Sequence, residues 1–359
     1  MLRQLDPLAY VSEGFYQRER TSVWSTQWLL AAVTNELQKP GEYVARSIAG
    51  WPVLIRRNAD HQLTAFLNVC PHRGGPIAWP GEGRVGNLVC RYHGWAFDSD
   101  GRLLSARDFG DQVCADEHSL TPLSVDEWGP LVFVNLNPSP HALLESLGGL
   151  VALISRLDFE RFVHVRRISR EIDCNWKTYV DNYLEAYHVP LIHPLLGAAI
   201  DIESYTIDIP EPSFCVHSAR TAEGAPNSGL WVFRYPNIAL NVYPGAMNVE
   251  RVEPIDHART RIVYDYFTNG DTDDDISAML HMSNVTLDED QAMVEVVQAN
   301  LGSGAYRPGP LSPRHEMALH WFQNRIRTDV EETTCPKKNG SSRVLSHSIS
   351  RESWFRKSG

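Results

Sequence analysis

Residues 70–101 read CPHRGGPIAWPGEGRVGNLVCRYHGWAFDSDG. Cys70 and His72 form a C-x-H pair; after seventeen intervening residues Cys90 and His93 form C-x-x-H. Two thiolates and two imidazoles on paired short loops can hold a [2Fe-2S] centre in which two histidines replace two cysteines on one iron, raising its potential above that of an all-cysteine cluster. A Cys2His2 zinc site is the competing reading. Zinc ribbons and fingers usually pair like ligands at shorter spacing, which counts against it. Gly74, Gly75 and Gly94 beside the ligands let the backbone come close to the sulfurs and aim N–H groups at them.

Around these loops the chain is rich in short β-type runs. VARSIAG (44–50), WPVLIRR (51–57) and LTAFLNVC (63–70) are separated by turn signals. With GNLVCRYHGWAFDSDGRLL and WGPLVFVNLNP they make a small all-β unit over residues 41–140, closed by the loop Asn137-Pro138-Ser139-Pro140. Residues 1–40 read as a helical segment, with Trp24, Trp28, Leu29 and Leu30 as apolar anchors. After residue 140, HALLESLGGLVALISRLDF has helical periodicity, and HVRRISREIDCNW reads as a strand. From about Ser213 to Phe267 strands return: SFCVHSA, LWVFRY, NIALNVY, NVERVEP and RTRIVYDYF. Residues 271–300 and MALHWFQNRIRTDV are helical, and the tail from residue 333 is polar, basic and aperiodic, expected to be disordered. The fold class is therefore α+β, with a second, catalytic-sized unit over residues 141–332.

That second unit carries its own candidate metal site. Asn175 to Pro194 read NWKTYVDNYLEAYHVPLIHP. His188 and His193 are five apart, too far to share one helix face. Pro190 biases Val189 away from helix, so a helix ending near His188 lets His193 swing to the same point. Imidazole suits iron, zinc and copper alike. A carboxylate could complete the set from residues 271–300. There Leu287, Asp290, Val294, Val297 and Leu301 recur at three and four residues, placing Asp290 on an apolar stripe. A buried, unpaired carboxylate costs several kcal/mol unless a cation relieves it. Glu289, followed by Met293 and Val296, is the nearest rival; Asp288 shares a face with Ala292 and Glu295 and reads as solvated.

CPHRGG, CRYHGWAFDSDG and DNYLEAYHVPLIHP together resemble the α subunit of a Rieske non-haem iron oxygenase, of the aromatic-ring-hydroxylating type, over about residues 30–330. YPNIALNVYPGAMNVERVEP (235–254) with VYDYF after it looks most like the branch of choline monooxygenase and glycine betaine–carnitine oxygenases. The resemblance implies one Rieske [2Fe-2S] cluster on Cys70, His72, Cys90 and His93, and one mononuclear Fe(II) on His188, His193 and a carboxylate. An acid five residues before Glu295 and eight before Gln298 points to Asp290. It implies a ring-like homotrimer in which Glu185 hydrogen-bonds His188 on one side and His93 of the partner subunit on the other. Asn182 is expected near the iron without a strong bond to it, and Asp181 near the interface.

The implied reaction uses O2 and electrons to hydroxylate or demethylate a small substrate, a methylated or quaternary amine or else an aromatic compound. Trp231, Phe233, Tyr235, Tyr243, Tyr264, Tyr266 and Phe267 crowd the expected pocket region, where rings can either cage a cation or simply pack a sheet. No dinucleotide fingerprint and no C-x4-C-x2-C ferredoxin spacing occur, so NAD(P)H is expected to serve only indirectly, through a separate flavin reductase or a ferredoxin. A Rieske electron carrier without catalysis is the reading from another class. It needs only the small β unit, and about 200 further residues count against it.

Composition agrees with an enzyme of this size. The 359 residues are 43% hydrophobic and 21% charged, as in globular proteins. A net charge of −11 disfavours nucleic acid or an anionic membrane as partner. No apolar run approaches the roughly 20 residues of a membrane span, and MLRQLDPLAYVSEGFYQRER lacks the apolar core of a secretory signal. Cys114, Cys174, Cys215 and Cys335 show no disulfide framework, which suggests a cytoplasmic setting.

Overall fold

Two seven-stranded antiparallel sheets organise the computed structural model, which describes residues 3–137, 139–223, 230–243, 245–269 and 273–334. The strands in chain order are β1 (Leu29–Val33), β2 (Glu42–Ile48), β3 (Trp51–Arg57), β4 (Leu63–Leu67), β5 (Gly81–Arg84), β6 (Leu88–Val89), β7 (Ala96–Phe97), β8 (Leu103–Ser105), β9 (Pro122–Trp128) and β10 (Leu131–Asn135). They are followed by β11 (Val163–Ile172), β12 (Ile200–Glu211), β13 (Phe214–Thr221), β14 (Leu230–Arg234), β15 (Ile238–Tyr243), β16 (Ala246–Pro254) and β17 (Thr260–Thr268). The first sheet runs β1-β10-β9-β4-β3-β2-β5, with a three-stranded β6-β7-β8 sheet beside it. The second runs β11-β17-β16-β15-β14-β13-β12. This is the expected α+β architecture.

Two elements differ from the sequence reading. Residues 1–40 are not helical throughout: after the helices ending at Trp24, Leu29–Val33 is a fully buried strand paired with β10, and only a short 3-10 turn, Thr34–Leu37, follows it. LLAAV has no polar face for solvent, and its backbone N–H and C=O groups find partners in the sheet edge. The twelve-residue β12 had no sequence assignment, although IDIESYTIDI alternates with period two. The tail expected to be disordered lies, from residue 335 on, outside the described residues.

The second sheet carries the helices that matter for function. Residues on β16 alternate in facing. Ala246, Asn248 and Glu250 line a cavity beneath the helices. Met247 and Val249 join a core with Phe133, Leu147 and Phe267, and Arg251 and Glu253 enter an ion network. In that network Asp265 accepts from Arg167, His164 and Arg251 at 2.6, 2.9 and 3.1 Å, while Glu36 binds Arg46 and Arg167. Arg46 is on β2 and Arg167 on β11, so the network ties the two sheets together. One apolar core also spans both, from Val44, Val53 and Val132 through Trp24 to Trp176 and Phe322.

Candidate active site

The helix Trp176–Tyr183 is the platform. Asn175 caps it, its Oδ1 accepting from Lys177 N at 3.0 Å. Its outer side is clamped by the N-terminal segment. Trp24 meets Trp176 edge-on at 4.9 Å, the buried Glu19 pairs with Lys177 at 2.7 Å, and Tyr10 donates to Asp181 at 2.6 Å. Gln298 of the long helix Asp273–Gly302 accepts from Asn175 N and from Thr178 Oγ1, locking the two helices in register.

The helix ends at Tyr183, five residues before His188, and His188 instead precedes the short helix Val189–Ile192. Glu185 makes this turn. Its Oε2 accepts the otherwise orphaned N–H groups of Tyr187 and His188, and its Oε1 accepts from His188 Nδ1. His193 follows the short helix, is 1% exposed, and donates from Nδ1 to Glu289 Oε2 at 2.7 Å. With each Nδ1 proton committed to a carboxylate, the lone pairs are on Nε2. The two Nε2 atoms lie 3.2 Å apart, and Asp290 Oδ1 is 3.0 Å from His193 Nε2 and 3.8 Å from His188 Nε2.

Three acceptor atoms with no proton between them repel unless a cation sits among them, and their separations suit donors gathered around one ion. Burial lowers the pKa of His193, but Asp290 and Glu289 outweigh it and raise it. His188, His193 and Asp290 thus fit a mononuclear iron of the two-histidine, one-carboxylate kind. The three neighbouring acids point in different directions. Asp290 points at both Nε2 atoms, Glu289 holds the far side of His193, and the exposed Asp288 pairs with Arg170.

Asn182 donates to Asp290 Oδ1 at 2.6 Å, so it orients the carboxylate. Asp181 turns the other way, one residue along a helix that advances about 100° per residue. It accepts from Tyr10 and from Gln323 Nε2 at 2.9 Å, is absent from the cavity wall, and is pushed up to about 7 by burial. Within this chain it makes a buried contact with Tyr10 of the N-terminal helix Leu8–Val11 and with Gln323.

The four cluster residues converge at one end of the first unit. Two matching turns present them. Cys70 N donates to Gly75 O and Gly74 N to Cys70 O; Cys90 N donates to Trp95 O and Gly94 N to Cys90 O, all at 2.8–3.0 Å. Gly74 and Gly94 take φ of 70° and 75°, which side chains avoid. Cys70 and Cys90 are buried, and the His72 and His93 rings are 4.6 Å apart. Trp95 stacks on His72 at 5.0 Å. His72 Nδ1 is buried without a hydrogen-bond partner, and burial pushes the Cys70 thiol up to about 11. An orphaned imidazole nitrogen beside two buried sulfurs fits a [2Fe-2S] cluster.

The triad opens onto a cavity of about 550 Å³. Trp231, Tyr243 and Tyr264 line it, joined by Tyr179, Tyr183 and Tyr205. Phe233, Tyr235, Tyr266 and Phe267, also expected there, are core residues instead. Two residues escaped the sequence reading as site residues, and a third takes another place than the one considered for it. Gln298 locks the helices and Glu250 lies in a strand buried along its whole length, while Glu289, weighed there as a ligand, hydrogen-bonds the far side of His193.

Comparison with known proteins agrees with this geometry. The profile of the Rieske [2Fe-2S] domain matches residues 27–114, and that of the ring-hydroxylating α-subunit catalytic domain matches residues 159–229 and 217–332. The chain is 34% identical over 319 residues to the carnitine monooxygenase oxygenase subunit of Escherichia coli (strain K12), covering 83% of this chain and 84% of that one. It is 30% identical over 334 residues to the chloroplastic choline monooxygenase of Beta vulgaris, covering 87% and 74%. The crystal structure of the quaternary ammonium Rieske monooxygenase CntA in complex with L-carnitine superposes with a TM-score of 0.80 at 26% identity, over 91% of this chain and 95% of that one.

Proposed function

This chain belongs to the Rieske non-haem iron oxygenases, as an α subunit with a cluster site and a mononuclear iron site, and on that premise we propose that it oxidises a quaternary or methylated amine. The observation that carries this is the cavity itself: a triad opening onto walls of tyrosine and tryptophan. Aromatic faces attract a desolvated cation by about 2 kcal/mol. The relatives named for carnitine and choline support the same class of substrate.

When bound, the cluster supplies electrons and the ferrous ion supplies the place where O2 is reduced. The residues do the rest. In this reading Cys70, His72, Cys90 and His93 hold the cluster, and His188, His193 and Asp290 hold the iron. Glu185 and Glu289 keep the Nδ1 protons of His188 and His193 and leave Nε2 free to ligate. Asn182 holds Asp290 by one oxygen.

His93 is exposed at the tip of its loop, and Glu185 is mostly buried beside His188. We infer that the chain works as a ring-like homotrimer in which Glu185 joins His188 to His93 of the partner subunit, with a flavin reductase or ferredoxin as the outside donor. Residues 41–140, together with Leu29–Val33, form the cluster-bearing unit in this proposal, and residues 141–332 the iron-bearing one. The cytoplasmic setting belongs to the same proposal. Among the described residues no helix is long and apolar enough to cross a membrane.

The test is O2 uptake with a generic reductase. Choline, glycine betaine and carnitine are compared with benzoate-type acids. Uptake with formaldehyde release means N-demethylation; uptake with an aldehyde made from choline means alcohol oxidation. Uptake with the aromatic acids alone refutes the amine reading. Glu185→Gln should keep both metal sites loaded yet cut single-turnover oxidation about 10- to 100-fold; an unchanged rate removes Glu185 from the path.

A further inference from the structure

Three carboxylates line the cavity: Glu185, Asp290 and Glu250. The first two are committed, Glu185 to His188 and Asp290 to His193 and Asn182. Glu250 is different. It lies in the middle of β16, is 2% exposed, and forms no ion pair among the described residues. Its Oε1 is buried without a hydrogen-bond partner. Its cross-strand neighbour is Tyr264, whose hydroxyl lies 3.4 Å from that of Tyr179. Both tyrosines line the same cavity.

Several other polar groups of the wall bond one another. Trp231 Nε1 donates to Tyr243 Oη at 2.6 Å, Asn241 donates to Asn248 at 2.7 Å, and Tyr205 bonds His217. Burial lowers His217 to about 4, so it is neutral. No lysine or arginine lines the cavity among the described residues. Residues 224–229 (GAPNSG) and 270–276 (GDTDDDI) contain none in sequence either.

We infer that Glu250 is the counter-charge for the cationic head of the substrate, and that the cavity selects a quaternary ammonium monocation over a betaine that also carries a carboxylate. This rests on the amine reading above and narrows it. A buried carboxylate with one oxygen unsatisfied and no basic partner among the described residues is costly, and a cation brought into the same cavity relieves that cost. Burial pushes Glu250 up to about 7; the hydroxyls of Tyr179 and Tyr264 oppose the rise and the charge of Asp290 adds to it. The charge of the metal belongs in the balance. A ferrous ion with one carboxylate and two neutral imidazoles is left with a net positive charge, which by itself repels an ammonium head. Glu250 cancels it. A substrate carboxylate, by contrast, meets two further acids and, among the described residues, no basic side chain.

The experiment measures anaerobic binding to the loaded, reduced holoenzyme by calorimetry, with KM and kcat from O2 uptake alongside. The probes are choline, glycine betaine, and the neutral carbon isostere of choline in which a tert-butyl group replaces the trimethylammonium. The wild type is expected to bind choline at least about 30-fold more tightly than the isostere, and more tightly than glycine betaine. Glu250→Gln should lose that factor for choline and leave isostere affinity unchanged, while Glu250→Asp should keep the preference for the cation. Equal wild-type affinity for choline and isostere overturns the inference without needing any variant. So does a Glu250→Gln protein that binds choline as the wild type does, or one that binds both as before and loses kcat with both, which would make Glu250 a group of the chemistry instead. A wild type that binds no quaternary ammonium but turns over an aromatic acid refutes the amine reading itself.

Discussion

The cluster loops and the iron helices each present two histidines, and they hold them in opposite ways. At the cluster the backbone does the work: two matching turns, two left-handed glycines and a stacked tryptophan, all within residues 70–95. At the iron site the backbone only brings the residues near. Glu185, Glu289 and Asn182, from two stretches a hundred residues apart, aim His188, His193 and Asp290. The cluster lies near the surface, with His93 exposed, whereas His193 is sealed. A site that passes electrons benefits from an accessible edge. A site that handles O2 and substrate benefits from ligands that cannot drift and from a wall that excludes water.

That contrast can be broken from either side. The largest effect is expected from His193→Ala, which removes a proposed ligand from the buried side of the triad. Turnover should vanish and the mononuclear iron be lost, while the visible absorption of the cluster stays; metal analysis and spectra on one sample decide it. A variant that still oxygenates would end the assignment.

The next effect concerns the join between the two regions. Asp265 is fully buried and answers Arg251, His164 and Arg167. Burial alone would raise its pKa, but these partners outweigh it and hold it at about 2. Asp265→Ala leaves the buried Arg251 short of a partner and should cost about 3–5 kcal/mol in chemical denaturation. The sign with pH follows from the depressed value. The contribution of Asp265 is fully present above its ordinary pKa of 3.8 and is lost as pH falls towards about 2. Melting temperatures of the wild type should therefore fall more steeply than those of the variant across that interval.

The smallest of the three sharpens the backbone side. A Cβ on Gly75 would sit 2.7 Å from Tyr92 Cβ and 3.0 Å from Cys90 Sγ. Gly75→Ala removes no ligand, yet crowding of this kind costs about 1–3 kcal/mol. Cluster content should drop while iron at the triad is retained. Full cluster occupancy would show that these turns tolerate more than their geometry suggests.

Much of this was legible in the chain. Cys70, His72, Cys90 and His93 are close in sequence, and a short loop can present them only in a few ways, so their spacing already carried the cluster. Most strands of both sheets followed from period-two patterns bounded by turns. β1 and β12 did not, because an all-apolar run such as LLAAV has no period to read and because the alternation in IDIESYTIDI had no bounding turn beside the iron helices.

What the tertiary structure alone decided was which acid does what. Asp288, Glu289 and Asp290 are consecutive, and composition cannot separate them. A helix turns about 100° per residue, and packing against Trp176–Tyr183 sends Asp290 to both imidazoles, Glu289 to the back of His193 and Asp288 to Arg170. The same holds for Asp181 and Asn182, adjacent in sequence and facing opposite ways. Glu250 is the clearest case. In sequence it is one acid in NVERVEP; only the register of β16 turns it into the cavity and its neighbours Arg251 and Glu253 into the ion network. Sequence determined the ligand types and their local loops, because those depend on residues near in the chain. Facing and partnership depend on how distant segments pack, and those the fold decided.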